Sequence, residues 1–342
     1  MKFGPVPLSE AAGKILGHNI AGTDGHRALR KGRVLSAEDI LFIRELGRKT
    51  IYVADLARDD VEENGAARRI GVAVMGAGIR LAGPGAGRAN LVATVLGVLR
   101  IDAERVARLN ECPGITLATL SNHLAIHPRK MIATVKIIPF AVPENVLQKA
   151  EKVAFENGPM IENIEIPARV VTLILSGSPS VRERITRDFE PALRSRLTSL
   201  NARIKSVEFV TLDDENGEFA LAEKIVSHVS AGAELLVLAG ETAIVDQYDI
   251  APRAIERAGG NVVCYGVPVD PGNLLLLGYL ESTPILGAPG CTRSRKTNVI
   301  DWVLPRLLVG DRLSAADFVA LGHGGLLDEI PERPRPRNQM VS

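Results

Sequence analysis

The feature that most constrains the fold begins at Val170. Val170-Val-Thr-Leu-Ile-Leu175 is a continuous β-type run without apolar/polar alternation. A strand apolar on both faces is buried on both, which is the habit of parallel sheets covered by helices on each side. The run ends in Ser176-Gly-Ser-Pro179, and a long helical stretch follows from Ser180 to about Leu200. The pattern then predicts a strand over Val207–Leu212, a helix over Glu218–Val229 and a strand over Leu235–Leu238. A helix over Gln247–Ala258 and a strand over Val262–Tyr265 complete it. Such alternation implies an α/β fold with a mostly parallel C-terminal sheet and helices on both faces. Ligands on such sheets sit beyond the carboxyl ends of the strands. Each glycine-rich turn after a strand is therefore a candidate site.

The region before Val170 has a different texture and reads as a smaller α+β region. Ser36 and Asp39 resemble a capping box ahead of Ile40, Leu41 and Ile43, with a strand at Thr50–Ala54. Asp102–Asn110 reads as a short capped helix, Met131–Ile138 as a strand and Glu144–Glu156 as a helix stopped by Gly158-Pro159. These shifts divide the chain into segments 1–65 and 66–167, together one domain, then 168–325 as the α/β domain. The remainder, 326–342, is a Pro/Arg-rich tail around Pro331–Asn338.

Charge and composition exclude several functions. Lys and Arg number 41 against 40 Asp and Glu, for a net charge of +1. That balance leaves no footprint for nucleic acid, and 4% aromatics provide no stacking platform for single strands. The apolar run Leu274–Leu277 is cut by Gly278, far short of the ~20 residues of a membrane helix. The N-terminal MKFGPVPLSE lacks a charged region followed by an apolar core, so no signal peptide is expected. Three widely spaced cysteines fit free thiols in a reducing, cytoplasmic setting. Of these, Cys291 beside a Pro-Gly loop is expected to be the most accessible and Cys264, in an apolar strand, to be buried.

Two constellations are set aside. Gly71-Val-Ala-Val-Met-Gly-Ala-Gly78 lacks the third glycine of a dinucleotide turn, where Leu81 stands, and Gly83-Pro-Gly-Ala-Gly87 opens no helix. His123 and His127 have helical metal spacing, but the zincin glutamate is missing and Pro128 ends any helix there. The informative segment is 235–300, where three loops each follow an apolar run. The first carries Gly240, Thr242, Asp246, Asp249 and Pro252. Its two aspartates suit either Mg²⁺, which takes one or two carboxylates plus ligand oxygens, or the capping of the following helix. The second is Gly266-Val-Pro-Val-Asp-Pro-Gly-Asn273. The third, Leu286-Gly-Ala-Pro-Gly-Cys-Thr-Arg-Ser-Arg-Lys296, continues into the anion partners Thr292, Arg293, Ser294 and Lys296.

These loops resemble the molybdopterin-binding domain shared by molybdopterin adenylyltransferases, molybdotransferases and gephyrin-type proteins. Ala239-Gly240-Glu241-Thr242 is similar to that family's glycine turn, and Asp249-Ile-Ala-Pro252 to its acidic segment. Asp270-Pro271-Gly272-Asn273 and Gly287-Ala-Pro-Gly-Cys-Thr292 resemble two Pro-Gly loops of molybdotransferases. The strings GVPVDPGNLLLLG, GAPGCTRS, DWVLPRLL and ATVKIIPFAVP extend the likeness over most of residues 1–330. They are closest to the module that bacteria fuse to a cytidylyltransferase-like nucleotidyltransferase domain. Ala239 replaces the family's first glycine, two extra residues precede Asp249, and Asp270 stands where molybdotransferases use lysine.

The resemblance implies a molybdopterin-binding-like fold and a place in molybdenum cofactor biosynthesis. It puts the ligand's terminal phosphate on Ser176, Gly177, Ser178, Gly240, Glu241 and Thr242. It makes Asp246 and Asp249 the catalytic, Mg²⁺-placing pair. It wraps the pterin with Pro271, Gly272, Asn273, Pro289, Gly290, Thr292, Arg293 and Ser294, beside Lys296. Three functions follow. One is binding of molybdopterin, molybdenum cofactor or its nucleotide form, with nucleotidyl transfer from ATP or CTP, or molybdate insertion, if the chain is an enzyme. A second is a non-catalytic carrier serving a nucleotidyltransferase or a molybdoenzyme. A third, an unrelated nucleotide-dependent α/β oxidoreductase, is penalised by Leu81. Related proteins assemble as homo-oligomers, which the resemblance also implies here.

Overall fold

A computed structural model describes residues 1–212 and 216–327 and resolves two compact units. The Pro331–Asn338 stretch lies outside the described residues. The first unit comprises Met1–Val95, Leu99–Asn122 and Ile126–Ile164. Thr50–Asp55 is the centre of an antiparallel three-stranded sheet, between Lys2–Pro7 and Ile15–Leu16. The helix Ala37–Glu45 starts on a capping box: the Asp39 N–H donates to Ser36 Oγ at 3.2 Å, and the Ser36 N–H donates to the Asp39 carboxylate at 3.0 Å. The helix Ala103–Asn110 is capped by Asp102, whose carboxylate accepts the Arg105 N–H at 3.0 Å.

A four-stranded antiparallel sheet in this unit runs Ile115–Thr119, Met131–Ile137, Arg88–Ala93, Ile79–Gly85. The helix Glu63–Val74 lies close against it at Gly71, where a Cβ would come within 2.6 Å of Leu81 Cδ1. The glycines of residues 71–78 thus lead from a helix into a strand. A dinucleotide turn runs the other way, from strand to helix. Gly83–Gly87 is the hairpin joining two of the strands. His123 and His127 flank a two-residue strand, Ala125–Ile126, and share no helix.

The second unit takes Leu96–Val98, His123–Ala125 and the chain from Glu165 onward. Its strands are β1 (Arg169–Gly177), β2 (Ala202–Thr211), β3 (Leu236–Gly240), β4 (Asn261–Tyr265), β5 (Leu276–Leu280) and β6 (Thr283–Gly287). Its helices are α1 (Arg182–Ser199), α2 (Asn216–Ser230), α3 (Ile250–Arg257), α4 (Ile300–Leu308) and α5 (Ala315–Val319). The sheet order is β2-β1-β3-β6-β5-β4. β2, β1, β3 and β6 pair in parallel, while β5 is antiparallel to both β6 and β4, so only β5 runs against the other five.

Period-two alternation splits the apolar residues between two cores. Leu173, Leu175, Val237 and Leu286 join Ile185, Phe189 and Leu193 of α1 and Val303, Leu304 and Leu307 of α4. Ile174, Leu236, Leu238 and Ile285 face the opposite way, onto Leu221 and Ile225 of α2 and Ala254 and Ile255 of α3. β2 begins at Ala202 rather than Val207. As an edge strand it opens by alternating, with Arg203 and Lys205 exposed, so only its apolar half stands out in the sequence. α3 starts at Ile250 rather than Gln247, for a reason found in the site. Among the described residues, no helix is long and apolar enough to cross a membrane.

The cysteines are free, but the expected ranking of their exposure is corrected: Cys112 is the buried one, and Cys264 and Cys291 are both half-buried. Burial pushes the Cys264 thiol up to about 11 and raises that of Cys291 as well. The Pro-Gly turn beside Cys291 does not expose it, because the turn itself packs inward.

Because both faces of β1 are buried, Leu173→Ala and Ile174→Ala should each cost about 2–5 kcal/mol in chemical denaturation. A solvated face would make one of the two nearly silent.

Candidate functional site

The strand directions bring the motif loops to one edge. β1 ends at Gly177, β3 at Gly240 and β6 at Gly287, all at carboxyl ends of parallel strands. The connection from β4 to the reversed β5 carries Gly266–Asn273 along the same edge. Ser176 is registered with Gly240, and the Ala288 N–H donates to the Leu238 carbonyl at 2.8 Å. At Gly240 a Cβ would stand 2.7 Å from Ser176 Oγ and 3.2 Å from the Ser176 carbonyl oxygen, so a larger residue would displace the Ser176 hydroxyl.

A cavity of about 70 Å³ opens at this edge, on the α2/α3 side of the sheet. Its walls include Ser176, Gly240, Thr242 and Asp249, with Leu238 and Ala288 beneath. A water needs about 10–15 Å³ of such space, so the volume suits a group of a few heavy atoms, the size of a phosphate. Drug-sized ligands fill about 300–1,000 Å³, so a pterin would extend outside it. Pro271–Asn273 and Pro289–Lys296 are not among the lining residues.

Beside the cavity, the donors at the end of β1 already have an acceptor. Glu241 is held by its own N–H, which donates to the Ser176 carbonyl at 2.9 Å. Its carboxylate folds back, and Oε2 accepts the Ser178 N–H at 2.9 Å and the Ser178 hydroxyl at 3.0 Å. Arg184 of α1 lies 3.8 Å from Oε1. The Ser178 amide and hydroxyl, with Arg184, hold the Glu241 carboxyl below the usual range. Glu241 therefore accepts hydrogen bonds from the chain itself at the edge where the resemblance places a ligand phosphate.

The two aspartates hold their own loop. Asp249 Oδ2 accepts the N–H groups of Val245 at 2.6 Å and Asp246 at 3.0 Å. Asp246 Oδ1 accepts the Tyr248 N–H at 2.8 Å. These bonds fix residues 245–249 in turns and delay α3 to Ile250, although Asn and Asp tolerate such local bonding well. Asp249 occupies the N-cap position of α3 without making a cap bond. Asp246 Oδ2 and Asp249 Oδ1 lie outside these bonds. That donor set fits Mg²⁺ only as a partner to ligand oxygens, since among the described residues no three metal-ligating side chains gather.

The Pro-Gly loops pack inward. Gly272 is buried with φ +133°, and a Cβ there would lie 2.3 Å from Val299 Cγ1. The Pro271 carbonyl accepts the Val299 N–H at 3.2 Å, and the Asn273 carbonyl accepts the Val267 N–H at 2.8 Å. Pro271–Asn273 thus seat the start of α4. Gly290–Arg293 form a short 3-10 turn, and the Arg293 guanidinium stacks 5.0 Å over Phe189. Thr292 is fully buried and its hydroxyl finds no protein partner. Ser294 Oγ accepts the Lys296 N–H at 3.1 Å, and Lys296 is exposed.

Arg196, which sequence reasoning missed, organises that third loop. It is 9% exposed and sits on α1. Its guanidinium donates to the carbonyls of Thr292 at 3.0 Å, Ser294 at 2.7 Å and Lys296 at 3.0 Å, and to Asp301 at 2.9 Å. Asn298 closes the loop from below, donating to the Lys296 carbonyl at 3.1 Å. No local motif marks Arg196, because its acceptors lie about a hundred residues downstream. Arg196→Leu should cost about 1–3 kcal/mol, leaving the Thr292 and Ser294 carbonyls without this donor and Asp301 with only the Asn298 N–H. It should also open residues 291–297, so that trypsin cleaves the native chain after Arg293, Arg295 or Lys296. Unchanged urea unfolding and unchanged cleavage would refute this role.

Comparisons with known proteins cover the chain unevenly. Residues 5–55 match "Domain of unknown function (DUF8806)". No curated protein matches the sequence. Among solved structures, "Molybdenum cofactor biosynthesis protein B" is similar at 15% identity and TM-score 0.30, covering 42% of this chain and 95% of its own. "Molybdopterin biosynthesis moea protein" from Pyrococcus horikosii is similar at 14% identity and TM-score 0.30, covering 90% of this chain and 75% of its own.

Proposed function

We propose that the second unit binds molybdopterin, or the molybdenum cofactor made from it, along the carboxyl edge of its sheet, as a step in molybdenum cofactor biosynthesis. One observation carries this reading. The four segments whose sequences resemble molybdopterin-binding loops, 176–178, 240–242, 270–273 and 287–292, all emerge at that single edge. Open α/β sheets bind ligands there. The small cavity at Ser176, Gly240 and Thr242 takes the phosphate end, and the pterin lies over the outer loops, near Asn273 and Lys296.

Two chemistries are compatible with such binding. In nucleotidyl transfer from ATP or CTP, Asp246 and Asp249 hold Mg²⁺ against ligand phosphates, and catalysis is positioning and charge stabilisation. In a carrier, the same aspartates only brace the loop, and the ligand passes to a nucleotidyltransferase or a molybdoenzyme. The hydrogen bonds that both carboxylates accept from backbone N–H groups favour the carrier.

Calorimetric titration of the full chain with molybdopterin, with and without Mg²⁺, tests the reading. Stoichiometric binding is expected, and its absence in both conditions overturns it. Asp246→Asn and Asp249→Asn keep the carbonyl oxygen that braces the loop. If the pair holds an ion, each variant should weaken Mg²⁺-dependent binding roughly tenfold to a hundredfold. Unchanged affinity, together with no turnover of labelled ATP or CTP, identifies a carrier.

A further inference from the structure

Of the donors assigned above to a ligand phosphate, the amide and hydroxyl of Ser178 already hold an anion, and that anion belongs to the chain. We propose that Glu241 is an internal competitor: its carboxylate occupies the Ser178 donors that a terminal phosphate would use, and a phosphate-bearing ligand binds there as that carboxylate leaves. The inference rests on the phosphate placement in the proposed function, and it names the regulation of that site.

Three observations carry it. First, a backbone N–H, a hydroxyl and a guanidinium converge on one carboxylate, at 2.9, 3.0 and 3.8 Å. This is the donor set that phosphate recognition uses. Second, the fold makes room for that carboxylate. A Cβ at Gly177 would stand 2.9 Å from Glu241 Cβ and 3.1 Å from its Oε2, so a larger residue would evict the side chain. Third, displacement needs no backbone change. The Glu241 main chain is fixed to Ser176 at 2.9 Å, while its half-buried side chain borders solvent.

The energetic logic is that of a competent fraction. When the carboxylate sits on Ser178, a second anion meets occupied donors and a like charge. The apparent dissociation constant is then the intrinsic one divided by the fraction of molecules whose carboxylate has swung out. Removing the carboxylate removes that factor. A brace with no bearing on ligand would behave differently, since its removal loosens the turn and improves nothing.

The test uses the full chain, with inorganic phosphate and molybdopterin as separate probes in calorimetry. Glu241→Ala should tighten phosphate binding roughly tenfold to a hundredfold, the scale of one hydrogen bond to a charged group. Glu241→Gln should gain less, because its carbonyl still accepts from Ser178. Melting curves check the fold, and the isosteric Gln variant decides the matter if the Ala variant does not fold. The gain should vanish in Glu241→Ala combined with Arg184→Met, and its persistence would place the anion elsewhere and overturn the assignment. Phosphate binding unchanged or weaker in both single variants also overturns it. A phosphate gain without molybdopterin binding by any variant keeps the competitor and removes the pterin reading. Equal molybdopterin binding in all variants with no phosphate gain does the reverse.

Discussion

Strand direction is the constraint on which the rest of the second unit depends. Five of six strands run the same way, and the inner strands β1, β3, β6 and β5 are buried on both faces. Once that holds, every β-to-α turn must leave at one edge, and the polar termini of several strands converge there. The single reversed strand, β5, adds to this convergence. Its start lies at the same edge, so the loop Gly266–Asn273 joins the other three without a helix of its own. The gathering of the four motif loops is thus a consequence of sheet direction.

The sheet was legible in the sequence because burial on both faces writes continuous apolar runs. β1 and β3 appear as such runs, and the capping box at Ser36 and the cap at Asp102 are short-range patterns that local chemistry completes. The opening of β2 was not legible as strand, because Arg203 and Lys205 interrupt its apolar residues at the sheet's edge. Nor was the end of the Gln247 helix pattern, where Asp246 and Asp249 compete with the helix for backbone N–H groups.

The candidate site was legible in position and much less so in role. A sequence shows which residues stand in a turn, but not which of them turn to each other. Glu241 and Ser178 lie 63 residues apart and form one hydrogen-bonded pair. Arg196 and the carbonyl of Lys296 lie 100 residues apart and decide the shape of the third loop. Neither partner carries a local signal, because a mid-helix arginine and a turn glutamate are both ordinary surface residues until the fold closes.

The glycines of the Pro-Gly loops show where motif likeness does its informing. At Gly272 the missing side chain admits Val299, and at Gly287 it admits Leu276 and Ile244, whose nearest atoms would stand 2.7 and 2.9 Å from a Cβ. Both glycines are required by packing within the unit, whatever ligand the edge receives. At Gly240 a side chain would displace the Ser176 hydroxyl. These turns recur in any chain that must join such strands and helices this tightly, so their resemblance speaks first to architecture. Chemistry resides instead in the side chains that the turns display. Here those are a glutamate on two serine donors, two aspartates on their own loop and a lysine facing solvent. It is these side chains, rather than the glycines, that set what the edge can bind.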